Sequence, residues 1–308
     1  MHKALIVCLT LAAVGVPNQV QAQFTGAHNY DDAPVGVNQI EFAYAYAHSN
    51  ASIDTSLIVA GANFNLNQGS ITYTRYFGLL HRVTWVQAGI PLAGLGGSIS
   101  GTNIHGSATG AGDSSYTVAT LLKGGPVHSL REFDDYKPTT TVGLSLTVSA
   151  PTGEYNSDKL LNLGTDRWSF KPEIGMSHPF GSNQKWQGDV YGHVYFFTDN
   201  TSYRGKEVLR QEPLPAVEGH LSYSFVQSAW ASVDVLYAFR GPTVVNGVNQ
   251  DNPQKNFSLG GTVNLSLNSQ NSLEFEFAKA LVHDNGPNYT GFAVKYTHSW
   301  GKGYRRNY

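Results

Sequence analysis

The feature that most restricts the fold is a series of long segments alternating between apolar and polar side chains. Near the C-terminus, Phe257, Leu259, Gly261, Val263, Leu265 and Leu267 share one face, and Ser258, Gly260, Thr262, Asn264 and Ser266 share the other. Leu273, Phe275 and Phe277 oppose Glu274 and Glu276, and Ala231, Val233, Val235, Tyr237 and Phe239 oppose Ser232, Asp234 and Arg240. Val142, Leu144, Leu146 and Val148 oppose Gly143, Ser145, Thr147 and Ser149; Val217, Leu221, Tyr223 and Phe225 oppose Glu218, His220, Ser222 and Ser224. A two-residue period is that of a β-strand with unlike faces. Soluble sandwich strands cluster near 5–6 residues, whereas membrane-crossing strands need about 9–11. Many segments here reach the longer value. Their apolar faces are rich in aromatics and their polar faces are small or charged, which predicts lipid outside and a polar lumen inside. The expected fold class is all-β: one transmembrane antiparallel β-barrel.

Connector lengths support this. The alternation places strands at 38–48, 66–77, 81–91, 114–123, 139–150, 166–178, 186–198, 213–225, 229–240, 255–267, 272–281 and 290–300. The connectors then alternate long and short, as extracellular loops and periplasmic turns do. Connector 124–138 breaks the rule, and Thr84, Trp85, Val86 and Gln87 do not alternate cleanly, so a count of twelve leaves ten and fourteen open. Trp168, Trp186, Trp230 and Trp300 fall at strand ends, where aromatic girdles sit; Trp85 does not. Tyr296, His298, Trp300, Tyr304 and Tyr308 keep one parity to the last residue, resembling a signal read by barrel-assembly machinery.

The N-terminus predicts export. His2 and Lys3 precede an apolar stretch from Ala4 to Val16, then Pro17 and the small-residue site Val20-Gln21-Ala22. That is a secretory signal peptide, 1–22, too short for a membrane-spanning helix. Its removal takes away Cys8, the single cysteine, so no disulfide or thiolate site is expected. Residues 23–37 lack strand pattern and are a candidate lumen plug; the barrel is expected over 38–308. Charged residues make up only 14 % of the chain and the net charge is −2, which gives no basis for nucleic-acid binding. The expected partners are outer-membrane lipids and lipopolysaccharide, the latter reached by the loop charges Lys159, Asp199, Arg204, Lys206 and Arg210, together with an unidentified small solute.

From about Gly143 onward the chain resembles a known family. SAPTGEYNSDKLLNLGTDRWSFKPEIGMSHPFG (149–181), VYFFTDNTSYRG (194–205), QEPLPAVEGHLSYSF (211–225), WASVDVLYAFRG (230–241) and NGVNQDNPQKN (246–256) are similar to outer-membrane transporters grouped as "meta-pathway of phenol degradation" proteins. The resemblance implies an outer-membrane channel, loosely grouped with carriers of hydrophobic or aromatic compounds. It assigns no residue a role.

With apolar parity outward, the lumen-lining candidates are Glu41, Lys171, Glu173, Asp189, Tyr191, His193, Glu218, His220, Asp234, Arg240, Glu274, Glu276 and Lys295. Charges in a narrow barrel either pair and brace its walls or select solutes by sign and size. The expected function is therefore a passive channel for small molecules, hydrophobic or aromatic ones among them. The rival is a plugged structural or adhesive barrel. An outer-membrane lipid hydrolase is the weaker alternative: His105-Gly106-Ser107 lies in a Gly-rich stretch expected to be a loop, and position 119, where an orienting Asn belongs, is Ala. Eleven histidines show no HxH or HExxH spacing, so neither a catalytic metal nor a cofactor is expected. Glu274 and Glu276, about 7 Å apart along one strand face, have a spacing that glycoside hydrolysis can use but also one common in pores.

Overall fold

A computed structural model of the chain describes residues 24–51, 62–103, 105–125, 127–133, 136–159 and 161–301. The signal-peptide expectation for 1–22, and Tyr304 and Tyr308, lie outside them. In chain order the strands are β1 Val37–Ser49, β2 Ala62–Leu79, β3 Arg82–Ile99, β4 His105–Ala111, β5 Ser114–Lys123, β6 Thr141–Ala150, β7 Ser169–Phe180, β8 Trp186–Phe197, β9 Asn200–Tyr203, β10 Glu207–Gln211, β11 Leu214–Val226, β12 Ala229–Arg240, β13 Thr243–Val245, β14 Val248–Asn249, β15 Gln254–Ser266, β16 Asn271–Asp284 and β17 Tyr289–Gly301.

Twelve of these (β1, β2, β3, β5, β6, β7, β8, β11, β12, β15, β16 and β17) form one closed antiparallel barrel. The seam is β1 on β17, running from Val37 opposite Gly301 to Ser49 opposite Tyr289. Closure leaves no strand edge unpaired, the condition a sheet must meet in hydrocarbon. The twelve-strand count settles the range left open by the sequence. β1 begins and β17 ends at the same end of the barrel, called here the near end. At the far end β9, β10, β13 and β14 form a small separate sheet.

Alternation works as the patterning requires. Phe42, Tyr44, Ile71, Tyr73, Ile90, Leu92, Val233, Phe275 and Phe277 are exposed on the outside, while Ser70, Thr72, Thr74, Ser232, Asp234, Thr262 and Asn264 are buried inside. The strand β2 shows where lipid contact stops. Its outward residues change from Ile71 and Tyr73 to exposed Asn67, Asn65 and Asn63, and its inward ones from Thr72 and Ser70 to buried Leu66 and Phe64. The Tyr44 hydroxyl donates to Asn67 (2.7 Å) and the Tyr46 hydroxyl to Asn65 (2.8 Å) on the same outer face. This is an aromatic and amide belt at the interface.

Two expectations need correction, and one irregularity finds its reason. Trp230 is buried and its ring lies 4.3 Å from that of His28, so it faces inward and is not part of a girdle; Trp168, Trp186 and Trp300 are exposed. His105-Gly106-Ser107 is not in a loop. It opens β4, which pairs with the upper half of β3 through Ser98 opposite His105. Connector 124–138 is long because it holds the chain's entry into the barrel. Its helical turn α1, Leu130–Phe133, is capped by Glu132, to which the Ser129 amide and hydroxyl both donate (2.7 Å each). Those two bonds hold the Glu132 carboxyl below the usual carboxylate range. Beside it Val35 bridges Ser129, and the Val35 amide donates to the His128 carbonyl (2.9 Å).

Candidate functional site: the barrel interior

Residues 24–36 lie inside the barrel, bonded to inward-facing side chains of β6, β7, β8 and β11. The Thr25 amide donates to both Glu218 carboxylate oxygens (2.8 and 2.7 Å), and its hydroxyl bonds Glu173. The His28 amide donates to Asp189 (3.1 Å), and the Asn29 amide to the Tyr191 hydroxyl (3.1 Å). The Tyr30 hydroxyl donates to Glu173 (2.9 Å) and lies 2.9 Å from Ser145 Oγ. The Tyr30 ring rests where two walls lack side chains. Gly143 and Gly175 face each other across β6 and β7. A Cβ on Gly143 would stand 2.0 Å from Tyr30, and one on Gly175 2.3 Å from it.

The His28 imidazole is the hinge of this contact. Its Nδ1 lies 2.7 Å from Asp31 and its Nε2 2.9 Å from Ser222. Burial alone would lower its pKa. The Asp31 carboxylate overrides that, helped by Asp189 and Glu274, and pushes it up to about 9.

Most sequence-predicted lumen residues fall into two groups. On β7, β8, β11 and β12, Lys171 pairs with Glu173 (3.2 Å), His193 approaches Glu173 (3.2 Å) and Glu218 (3.5 Å), and His220 bridges Glu218 (3.2 Å) and Asp234 (2.8 Å). Asp189 and Tyr191 hold the N-terminal segment as described. Across β1, β16 and β17, Lys295 pairs with Glu274 (3.2 Å) and with Glu276, and Glu41 is buried nearby at the position opposite Thr297. The Glu274 and Glu276 pair thus shares one ammonium group. Arg240 joins neither group. It is exposed at the end of β12, where a φ of 70° turns the chain out of the strand. The loop charges Lys159, Asp199, Arg204, Lys206 and Arg210 are exposed.

Parity reasoning missed the apolar part of the interior. Tyr30, Tyr76, Val83, Trp85, Leu121 and Tyr191 form one inward cluster. Phe64, Leu66, Leu95, Leu161 and Leu163 form a second at the far end, and Leu214, Leu236 and Ala238, with Phe24, Tyr195 and Phe197 against them, a third. A cavity of about 310 Å³ opens beside the second, lined by Phe64, Ile99, His105, Ser107, Lys159 and Leu161 among others. The signal was present in the register: with Val86, Ile90 and Leu92 outward, Trp85 must point in.

The family model described as "Putative MetA-pathway of phenol degradation" matches residues 47–296. The chain belongs to this family. No curated protein matches its sequence. Among solved structures, the COG4313 outer membrane channel from Pseudomonas putida F1 superposes with a TM-score of 0.76 at 20 % identity, covering 90 % of this chain and 100 % of that one. The beta domain of the Bordetella autotransporter BrkA reaches 0.50 at 10 % identity, covering 86 % and 100 %. The monoaromatic hydrocarbon channel CymD reaches 0.49 at 10 % identity, covering 96 % and 100 %. At such identities the likeness is one of fold, and that fold serves both channels and autotransporters.

Proposed function

We propose that this family member is a passive outer-membrane channel for small, largely apolar solutes. In this reading it is exported by a signal peptide in a Gram-negative bacterium, and the near end faces the periplasm. The observation that carries the reading is the inward apolar surface of the far half. A water-filled general pore is polar throughout, whereas here Phe64, Leu66, Leu161, Leu214 and Leu236 face the interior, and Phe64 and Leu161 line a cavity of about 310 Å³. That is the lower end of the size range of small-molecule pockets. No energy-coupling element is invoked; solutes move down their gradients without being altered.

The test is flux into liposomes carrying the refolded protein, with protein-free liposomes as baseline. Faster entry of phenols and benzoates than of sugars of similar size is expected. Equal entry of all solutes of one size would make it a general porin. The docked N-terminal segment favours a second reading, a barrel closed in its resting state. Deleting residues 24–34 separates the two, since a resting closure predicts that flux appears only in the truncated protein.

A further inference from the structure

We propose that Glu173, His193 and Glu218 form a binding site for a first-row divalent metal ion of the zinc type. One ligand atom from each lies within 4.8 Å of the others, and all three residues are buried. The barrel register sets this up. Glu173 on β7 stands opposite His193 on β8, and Glu218 on β11 stands opposite Tyr191, one inward step from His193. Cross-strand and diagonal neighbours on one sheet face are close enough to share a ligand.

The His193 side chain is wholly buried. Its Nδ1 lies 3.2 Å from Glu173 Oε2 and 3.5 Å from Glu218 Oε1, at ion-pair distance from both, and its Nε2 makes no hydrogen bond among the described residues. A buried polar atom without a partner is costly, and a nitrogen facing two carboxylate oxygens needs either a proton or a metal ion between them. One metal ion meets the needs of all three. An imidazole with two carboxylates is a donor set that zinc and its first-row neighbours accept, leaving a fourth position. One ligand is also held from behind: His220, itself bonded to Asp234, bonds Glu218. Such outer bonds orient metal ligands. The Lys171 ammonium and the Thr25 amide already use the same carboxylates. Metal binding and docking of the N-terminal segment are therefore coupled, each weakening the other by the same factor.

The untagged, metal-stripped full chain in detergent is titrated with Co²⁺ and followed by its visible d–d absorption; Zn²⁺ is measured by competition with a chromogenic chelator. One ion per chain is expected, with His193→Gln and Glu218→Gln each losing at least tenfold in affinity and the far-end control His283→Gln unchanged. Compact mobility on unheated gels checks that each variant is folded. Cu²⁺ bound to the wild-type protein should show nitrogen coupling from a single imidazole, a readout that needs no variant. No stoichiometric binding by wild type, equal binding by folded His193→Gln, or an oxygen-only copper spectrum would overturn the proposal.

Discussion

At the scale of residues, the N-terminal segment is held by a few side chains whose loss has readable consequences. Tyr30→Phe removes a buried bond to a carboxylate while keeping the ring, and should weaken docking by about 1–3 kcal/mol. Faster cleavage of residues 24–36 by added protease would report it. Gly175→Val fills the space beneath the Tyr30 ring, where even a Cβ meets it at 2.3 Å. That overpacking costs about 1–3 kcal/mol and should expose the segment more than Tyr30→Phe does, with the barrel itself intact. His28 supplies a pH dependence. It faces Asp31, Asp189, Gln187, Ser222 and Trp230. Its folded pKa of about 9 lies above its ordinary 6.5, so its contribution is fully present below 6.5 and is lost as pH rises through about 9. Protease sensitivity of the segment should climb between pH 7 and about 9.5, and a flat profile would remove His28 from this role. Glu173, His193 and Glu218 could be read from strand parity. Tyr30, Thr25 and His28 could not, because an unpatterned segment carries no period from which to infer a facing.

At the scale of elements, local sequence and barrel geometry sometimes disagree. The turn between β2 and β3 is made by Leu80 and His81, both with positive φ (49° and 59°). Such turns favour Asn-Gly, and the left-handed region costs a side-chain-bearing residue about 1–2 kcal/mol. Leu80 is fully solvent-facing, so no packing is lost on replacing it. The double change Leu80→Asn, His81→Gly should stabilise the hairpin by about 1 kcal/mol, seen as a higher temperature for loss of the compact gel form. Strands were legible because each runs through one two-residue rule five times or more. β9, β10, β13 and β14 were not: at two to five residues they are too short to show a period. Connector 124–138 looked like an exception to the short-turn rule, and its length answers to a neighbour in space, Val35, that sequence proximity does not reveal.

At the scale of the whole molecule, lipid sorts the outer surface by height. Val233 faces outward in mid-strand of β12, whereas Asn67 faces outward at the amide belt on β2. A cation near the midplane costs about 2–4 kcal/mol and little at the interface. Val233→Arg should therefore lower folding yield into bilayers sharply, and Asn67→Arg should leave it near wild type. Equal yields would show that the hydrocarbon band lies elsewhere on the wall. The same sorting explains why the parity rule failed in the far half. It presumes lipid outside, and above the belt β2 meets water outside and Leu161 and Leu163 inside.

The seat made by Gly143 and Gly175 is filled by a ring tethered to the wall that receives it. Only six residues separate Tyr30 from the first residue of β1, so undocking is a unimolecular step. Diluting the protein does not shift it. The short tether sets a local concentration of millimolar order for its own occupant, and any free molecule seeking the same seat competes against that fixed value. Its apparent affinity is then its intrinsic one scaled by the fraction of barrels whose seat is empty. Changing the length of the stretch from Asp31 to Gly36 would retune that fraction and leave the glycine seat itself unaltered.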